Sequence, residues 1–512
     1  MGESRHWADV LCENVTAIGR KHTIATGITP SGEIHIGNLR EVLTADAAYR
    51  ALCDAGIDAE LIYIADTLDP LRRVYPFLSD DYSEHVGKPL SAIPCPCGDC
   101  ANYAEHYLLP FFESLAELEI CPKVYRAHEL YESGDFVPAT LTALRKRDQI
   151  AAIIAAVSHR ELPTDWSPFN VICEACGRIT TTTVTGFDLA DGTDGEGRMS
   201  GTGGTVDYAC ECGYSGTVPV KGHGKLTWRV DWAARWGILG VTIEPFGKDH
   251  ATRGGSYDTG TRISKEIYGY TPPYPIIYEW IHLKGKGAMS SSTGVTITIA
   301  EMLRVMPPEV LRYLIIRTKP EKHIDFDPSR IIDLIDGFDR ANDRARELSV
   351  TKAFLPSGIP FTHLVTAIQV ASDPDDPDNL REVLRRSGYD AYDEESVTRR
   401  VANARNWLAS YAPDSARFEV QEELPDAAGS LSDGQKSGLL WLASAIDAGM
   451  TGQEIHDLTY EAARVAEIPA STMFQAIYIA FLGKASGPRA GYFMASLDRD
   501  FLLSRLRAAG CE

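Results

Sequence analysis

The sequence predicts an α/β fold, a doubly wound parallel sheet with a small cysteine-rich insertion, followed by an all-α C-terminal domain. Three observations support this prediction: a strand, turn and helix at residues 22–52, a nearly continuous apolar run at 59–65, and helical periodicity from Met302 onward. A short apolar run is typical of a parallel strand covered on both faces, and strand–helix–strand at this spacing implies a right-handed crossover.

The first element is a strand over residues 23–28, and a helix follows from Asn38 to Leu52. The turn between them contains Pro30, Ser31, Gly32, His35 and Gly37. Such a turn directs unpaired backbone N–H groups and the positive end of the helix dipole at one place, which suits a phosphate group. A doubly wound sheet binds ligands beyond the carboxyl ends of its strands, where this turn would lie. Alone, the His-x-Gly pair also fits a turn without a ligand.

The composition, 44% hydrophobic and 24% charged, is typical of a soluble globular protein. No apolar run approaches the roughly 20 residues of a membrane span, and the amino terminus lacks a hydrophobic signal region, so we expect a cytoplasmic protein without a membrane segment. The net charge of −21 is unusual for a nucleic-acid binder, but local basic clusters can still form a binding face. The candidates are Arg145, Lys146 and Arg147, and Arg312, Arg317, Lys319 and Lys322.

Two close cysteine pairs enclose a segment rich in Gly, Thr and Asp. They are Cys173-x-x-Cys176-Gly and Cys210-x-Cys212-Gly. In a reducing compartment this pattern predicts a structural Zn²⁺ that closes a small β insertion over residues 166–222 and supplies its folding energy. Four unrelated buried thiols are the alternative.

A second cysteine group, Cys95, Cys97 and Cys100, has His106 close by in the sequence. Three cysteines within six positions are compatible with zinc. The flanking prolines restrict the backbone and the C-x-C spacing is unusual, so the sequence leaves this metal site open.

After the insertion, aromatic and ionisable residues are concentrated where the α/β domain should resume. They are Trp228, Asp231, Trp232, Lys248, Asp249 and His250. Aromatic walls beside a carboxylate suit a cationic group of a substrate, although some tryptophans will fill the core. A strand predicted over residues 275–283 then leads into a loop of Gly, Lys and Ser.

The segment Pro30–Asn38 resembles the HIGH motif of class I aminoacyl-tRNA synthetases, in the form His-Ile-Gly-Asn, and residues 288–292 resemble their KMSKS loop. More narrowly, GITPSG, PFGKDH with GGSYDTG, the four-cysteine insertion and IDFD at 324–327 together resemble class I, archaeal-type lysyl-tRNA synthetases. The similarity covers residues 22 to about 330.

The resemblance implies a Rossmann-like catalytic domain in two parts, 1–165 with a connecting insertion and 223–300, separated by the zinc-binding insertion at 166–222. A stem-contact linker at 301–350 and an α-helical anticodon-binding domain at 351–512 would follow. A helical bundle that serves only as a scaffold is the alternative for the last domain.

The implied reaction joins L-lysine and ATP, with Mg²⁺, into lysyl-adenylate and transfers the lysyl group to tRNA(Lys). The implied catalytic residues are His35, Asn38, Lys286, Ser290 and Ser292. The implied ATP-binding residues are Pro30, His35, Gly37, Asn38, Met289, Ser290 and Ser291. Ala288 and Ser291 stand where KMSKS loops have lysines, and Lys284 and Lys286 just upstream are candidate replacements.

For lysine, motif matching implies a pocket of Gly27, Thr29, His250 and Tyr278, with Asp231 or Glu279 as the acid for the ε-ammonium group. Three other functions stay open at this point: a class I synthetase for glutamate, a small-molecule nucleotidyltransferase, and a tRNA-binding paralogue that no longer activates amino acids. The sequence does not determine the oligomeric state.

Overall fold

The computed structural model describes residues 5–16, 19, 21–159, 161–189, 204–285, 287–289, 296–373 and 376–511. They belong to two compact units that alternate along the chain. The first unit is Met1–Met302, Arg312–Phe326 and Asp343–Val350, and the second is Leu303–Leu311, Asp327–Asn342 and Thr351–Glu512.

The strands of the described residues all precede Asp327. They are β1 (Lys21–Ile28), β2 (Asp58–Ala65), β3 (Lys123–Arg126), β4 (Phe169–Val171), β5 (Thr182–Asp188), β6 (Thr205–Cys210), β7 (Ser215–Pro219), β8 (Gly224–Leu226), β9 (Ile243–Gly247), β10 (Tyr274–Tyr278), β11 (Ile281–Leu283), β12 (Gly287–Ala288) and β13 (Ile324–Phe326).

The α-helices run through both units. They are α1 (Trp7–Thr16), α2 (Ile36–Asp54), α3 (Tyr103–Glu117), α4 (Ala127–Ser133), α5 (Val137–Arg145), α6 (Arg147–Ser158), α7 (Trp228–Leu239), α8 (Ser256–Ile263), α9 (Ile299–Val305), α10 (Pro308–Ile316), α11 (Ile331–Arg340), α12 (Arg344–Ser349), α13 (Phe361–Val370), α14 (Pro377–Arg386), α15 (Glu394–Ser410), α16 (Asp433–Ala445), α17 (Gly452–Val465), α18 (Ala470–Leu482), α19 (Ala490–Ser496) and α20 (Arg499–Cys511).

The central sheet of the first unit is parallel, with strand order β10-β9-β1-β2-β3. Successive side chains of β2 point to opposite faces. Ile62 and Ile64 pack into a core with helices α4 to α8, whereas Tyr63 contacts Phe111 and Phe112 of α3. Burial on both faces explains the apolar run, and the predicted parallel sheet is confirmed.

The winding direction of the sheet changes between β1 and β9. β1 pairs with β2 as far as Ile28 and Ala65, but its pairing with β9 is confined to Ile24 and Ile243 in the described residues. A crevice therefore opens between the carboxyl ends of β1 and β9, the usual ligand site of such sheets.

The insertion forms an antiparallel sheet of β5, β6 and β7, next to the antiparallel pair β4 and β8. Val206, Tyr208 and Val218 are buried in the same core as α4 to α8. The insertion thus has one face covered by the rest of the first unit, with little core of its own.

The single strand predicted over residues 275–283 is wrong. β10 belongs to the central sheet, and β11 pairs with β12 and β13 in a separate sheet. The chain turns at Glu279 and Trp280, where the Glu279 N–H donates to the carbonyl of Pro320 at 2.8 Å. A contact with a distant segment, rather than the local apolar pattern, ends the strand.

The second unit is helical in its described part, and the predicted helical C-terminal region is confirmed. Helices α16 to α20 enclose a core that includes Leu442, Met473, Phe481 and Phe493. In the described residues, no single helix is long and apolar enough to cross a membrane; only α17 and α18 together, bent by 114°, pass that test of length and composition.

Candidate active site

His35 caps the amino terminus of α2 at the head of the crevice. Its Nδ1 accepts a hydrogen bond from the Gly37 N–H at 3.1 Å, and the Asn38 Oδ1 accepts one from the His35 N–H at 3.2 Å. Because Nδ1 is an acceptor, the ring proton lies on Nε2. Burial lowers the pKa of His35 to about 4, so the ring is neutral at pH 7 and Nε2–H remains a donor.

Gly37 lies under the His35 ring. A Cβ at this position would lie 2.8 Å from both Cε1 and Nδ1 of His35, and 3.6 Å from the Cε of Met289. Only glycine leaves the ring in place, so the turn keeps a flat patch of backbone beside Met289. A planar group such as an adenine ring fits this patch.

The segment that follows the KMSKS-like loop returns to this turn. The Ile36 N–H donates to the Ile297 carbonyl at 3.1 Å, and Thr298 forms a β-bridge with His35. The predicted residues Lys286, Ser290, Ser291 and Ser292 lie outside the described residues.

Pro30 is buried in the preceding turn, where the Ser31 N–H donates to the Thr29 carbonyl at 2.8 Å. The hydroxyl of Tyr103, the first residue of α3, donates to the Ser31 carbonyl at 2.8 Å. The start of α3 therefore supports the phosphate-compatible turn from outside.

A cavity of about 520 Å³ lies beside the end of β1. Its lining includes the predicted residues Gly27, Thr29 and His250, together with Asp66, Asp69, Asn170, Lys225 and Trp228. The structure thus brings together residues from β1, the end of β2, the base of the insertion, the start of α7 and the turn after β9.

Ion pairs and hydrogen bonds connect the charged groups at the buried wall of this cavity. Asp69 accepts hydrogen bonds from the Thr29 hydroxyl at 2.7 Å and from the Lys225 ammonium at 2.5 Å. Asp66 accepts from the Arg235 guanidinium at 2.6 Å. Arg235 also bridges to Asp231, so Lys225 and Arg235 hold Asp66, Asp69 and Asp231 in one buried network of ion pairs.

The two acids proposed from the sequence for the lysine ammonium do not line the cavity. Asp231 is fully buried beneath it and is held by Arg235 at 2.6 Å and by the Tyr131 hydroxyl at 2.7 Å. Glu279, in the turn after β10, forms an ion pair with Lys248 at 2.6 Å. Both acids already have cationic partners.

His250 lies beside two indole rings, with centroid distances of 5.9 Å to Trp228 and 5.6 Å to Trp232. Burial lowers its pKa below the ordinary value, which favours a neutral ring. Trp228 stacks on Trp232 at 5.3 Å and keeps 37% of its surface exposed, so it offers an aromatic wall to a bound cation or alkyl chain.

Glu41 was missed by the sequence analysis. From α2, it accepts hydrogen bonds from the Thr26 hydroxyl and the Gly27 N–H, both at 2.9 Å, and from the Tyr278 hydroxyl at 2.8 Å. Tyr278, predicted from motif matching, therefore reaches the end of β1 through this carboxylate. No local pattern distinguishes Glu41 from other charged residues on a helix.

The four cysteines of the insertion converge. Their sulfur atoms all lie within 4.8 Å of one another, with Cys173 to Cys212 and Cys176 to Cys210 both at 3.7 Å. Gly177 and Gly213 follow the two pairs with φ of +72° and +90°, the left-handed conformation that turns the backbone back toward the sulfurs. Four converging thiol groups fit tetrahedral Zn²⁺.

A second cluster forms from Cys95, Cys97, Cys100 and His106, again within 4.8 Å of one another. The His106 Nδ1 lies 3.5 Å from the Cys95 sulfur and 3.3 Å from that of Cys97. The flanking prolines do not prevent this convergence, and a Cys₃His set also suits zinc.

Comparison with known proteins agrees with this geometry. The family model described as "tRNA synthetases class I (K)" matches residues 5–355. A lysine–tRNA ligase of Methanosarcina barkeri is 52% identical, covering 99% of this chain and 98% of its own length. Those of Archaeoglobus fulgidus and Methanocaldococcus jannaschii are 48% and 41% identical, with 98% of this chain covered in each case and 100% and 99% of their own lengths. The chain belongs to the class I tRNA synthetase family that these archaeal enzymes represent.

Proposed function

We propose that this chain is a lysine–tRNA ligase, which activates L-lysine with ATP and transfers the lysyl group to tRNA(Lys). The observation that supports it best is that the His35 turn and the cavity lined by Asp66 and Asp69 both lie beyond the carboxyl ends of the paired strands β1 and β2. Full-length relatives named lysine–tRNA ligase, up to 52% identical among those compared, point to the same substrate pair.

In the activation step, a carboxylate oxygen of lysine attacks the α-phosphorus of ATP, and the bond to the leaving pyrophosphate breaks. Such transfers depend mainly on positioning and on charge stabilisation. His35 Nε2–H and the Asn38 amide are donors for the phosphate oxygens. Gly37, Pro30 and Met289 hold the adenosine. Mg²⁺ bound with ATP would neutralise part of the phosphate charge.

We assign the pyrophosphate to the KMSKS-like segment and the lysine upstream of it, through Lys286, Ser290, Ser291 and Ser292. Lys286→Ala should slow adenylate formation more than it weakens lysine binding, because its ammonium would meet the leaving group. The measurement is lysine-dependent ATP–pyrophosphate exchange beside the lysine KM, with Lys265→Ala, on the helical turn after α8, as a surface control. An unchanged exchange rate in Lys286→Ala contradicts the assignment.

For the metal, we propose one structural Zn²⁺ on Cys173, Cys176, Cys210 and Cys212. For tRNA(Lys), we propose the acceptor end near the exposed cations Arg317, Lys319 and Lys322, and the anticodon on the helical second unit. We place the enzyme in the cytoplasm, where tRNA is charged.

The decisive experiment is ATP–pyrophosphate exchange with each of the twenty amino acids, with and without tRNA. Lysine alone should give a signal. A signal with glutamate instead would move the chain to another class I specificity. Tight tRNA binding without exchange for any amino acid would make it a paralogue that no longer activates amino acids.

A further inference from the structure

The cavity beside the end of β1 has an open side that the proposed lysine site does not use. Of its lining residues, Asp66, Ile179 and Lys225 are buried, whereas Arg72 and Thr180 are exposed. Its volume of about 520 Å³ lies in the range that encloses a drug-sized ligand, which is larger than lysine. The cavity therefore has room for part of a second molecule beside the amino acid.

Three side chains with hydrogen-bond donors lie on this lining. Arg72, Asn170 and Thr180 supply a guanidinium, an amide and a hydroxyl group. Within the ranges that the structure describes, none of the three side chains forms a hydrogen bond or an ion pair. The charged groups of the buried wall, in contrast, are paired with one another. The lining thus offers donors and one positive charge to a bound molecule.

Gly87 fixes the two exposed sides of this opening relative to each other. Its N–H donates to the Leu71 carbonyl at 2.8 Å, and its carbonyl accepts from the Ile179 N–H at 2.8 Å. Leu71 precedes Arg72, and Ile179 precedes Thr180. Gly87 has a φ of +89°, in the left-handed region that favours glycine. The backbone segments that carry Arg72 and Thr180 are therefore held together before a ligand binds.

The chemistry of these donors fits the sugar–phosphate backbone of RNA. Arg, Asn and Thr side chains are common donors to phosphate and sugar oxygens, and the unpaired ends of RNA are accessible to such contacts. In the proposed function the lysyl group passes to a ribose hydroxyl of tRNA, so the 3′ end must reach the same cavity as lysine. The phosphates of ATP are assigned to the His35 turn, which leaves this opening to the tRNA.

We propose that Arg72, Asn170 and Thr180 bind the unpaired 3′ end of tRNA(Lys), with the Arg72 guanidinium on a phosphate group. This inference rests on the proposed function. It gives the cysteine-rich insertion a part in tRNA binding, because Asn170 and Thr180 belong to that insertion. The opposing explanation is that Arg72 receives the carboxylate of lysine.

The test compares two RNAs in binding to the full chain: tRNA(Lys) with its complete 3′ end, and the same tRNA without its unpaired 3′-terminal nucleotides. Arg72→Met should weaken binding of the complete tRNA about two- to fivefold, the range for one exposed charge contact. Binding of the shortened tRNA should be the same in Arg72→Met and in the wild type. Equal weakening of both RNAs would contradict a contact with the 3′ end.

Arg73→Met is the matched control for this comparison. Arg73 is exposed, carries the same charge and lies over the Tyr75 ring, 5.5 Å from its centroid. Its loss should leave the difference between the two RNAs at the wild-type value. Salt titration adds a second readout: for the complete tRNA, Arg72→Met should flatten the slope of log affinity against log salt by about 0.7, the value for one phosphate contact in a single strand.

Thr180→Asp is a second variant in case Arg72→Met folds poorly. It places a negative charge on the other exposed side of the opening and should weaken binding of the complete tRNA only. If neither folded variant weakens that binding, the proposal is overturned. A raised lysine KM in Arg72→Met at saturating tRNA, with tRNA binding unchanged, would assign Arg72 to the lysine carboxylate and overturn it as well. Wild-type protein without lysine-dependent exchange would instead refute the function itself, which keeps the two failures separate.

Discussion

His35 and Gly37 show how a single position constrains the turn that we propose for ATP. The His35 ring occupies the space that a Cβ at Gly37 would need, and its Nδ1 is held by the Gly37 N–H. The glycine is therefore required by a neighbouring side chain, because any larger residue displaces the His35 ring, the proposed donor to the phosphates.

Gly37→Ala should raise the ATP KM about tenfold, since relief of the steric overlap costs roughly 1–3 kcal/mol and moves the His35 ring. The lysine KM should change little. Steady-state exchange kinetics measure both constants. Gly337→Ala on α11, where a Cβ meets nothing within 4 Å, is the control and should leave them unaltered.

His363 gives the second unit a predictable response to acid. It is buried, its Nε2 lies 2.7 Å from the Ser387 hydroxyl, and burial lowers its pKa to about 4. At pH values between this pKa and the unfolded-state pKa of about 6.5, the His363 ring binds a proton more readily in the unfolded chain than in the folded chain.

The stabilising effect of a neutral His363 is therefore complete above about pH 6.5 and is lost as the pH falls toward 4, by on the order of 3 kcal/mol. Denaturant unfolding of the full chain across this range, compared with His363→Gln, measures it. A difference between the two proteins that does not vary with pH would contradict the assignment.

At the scale of elements, the two cysteine clusters support different parts of the first unit. Cys173, Cys176, Cys210 and Cys212 close the insertion, whereas the second cluster ends at α3, whose Tyr103 holds the Ser31 carbonyl. Metal at the second cluster would consequently steady the turn that we propose for the phosphates.

We predict one zinc ion per cluster, measured as metal content of the purified protein. Cys212→Ser and Cys97→Ser should each remove one ion, and only Cys97→Ser should raise the ATP KM several-fold. Cys53→Ser, an exposed cysteine outside both clusters, is the control. Unchanged metal content in Cys97→Ser would show that the second cluster holds no zinc.

At the scale of the whole molecule, the chain leaves the first unit after Met302 and returns to it at Arg312–Phe326. Arg40 of α2 donates to the carbonyls of Ile315, Lys319 and Lys322, at 3.1 Å in each case. Buried Arg312 pairs with Asp46 of α2 at 2.5 Å. Helix α2, which begins at the turn proposed for ATP, thus fixes the basic segment proposed for tRNA.

Arg312→Met and Arg317→Met should separate stability from tRNA binding. Arg312→Met removes the closest partner of a buried carboxylate and should lower the free energy of unfolding by about 3 kcal/mol. Arg317 is exposed and lies over the Tyr313 ring, so Arg317→Met should leave stability nearly unchanged and raise the tRNA KM. Thermal melting measures the stability of both variants, and aminoacylation kinetics measure their tRNA KM. A loss of stability in Arg317→Met, with a raised tRNA KM in Arg312→Met alone, would contradict the prediction.

The sequence by itself determined the parallel sheet, the turn at Pro30–Asn38, the two close cysteine pairs of the insertion and the helical second unit. These features depend on local periodicity, turn residues and short spacing, which act within a few residues. The tertiary structure decided which acids face the crevice. Asp231 looked suitable beside the tryptophans, but Arg235 and Tyr131 bury it, whereas Glu41 reaches the end of β1 only because α2 packs beneath the sheet. Side-chain neighbours far apart in sequence are set by the packing of whole elements, so no local pattern reports them.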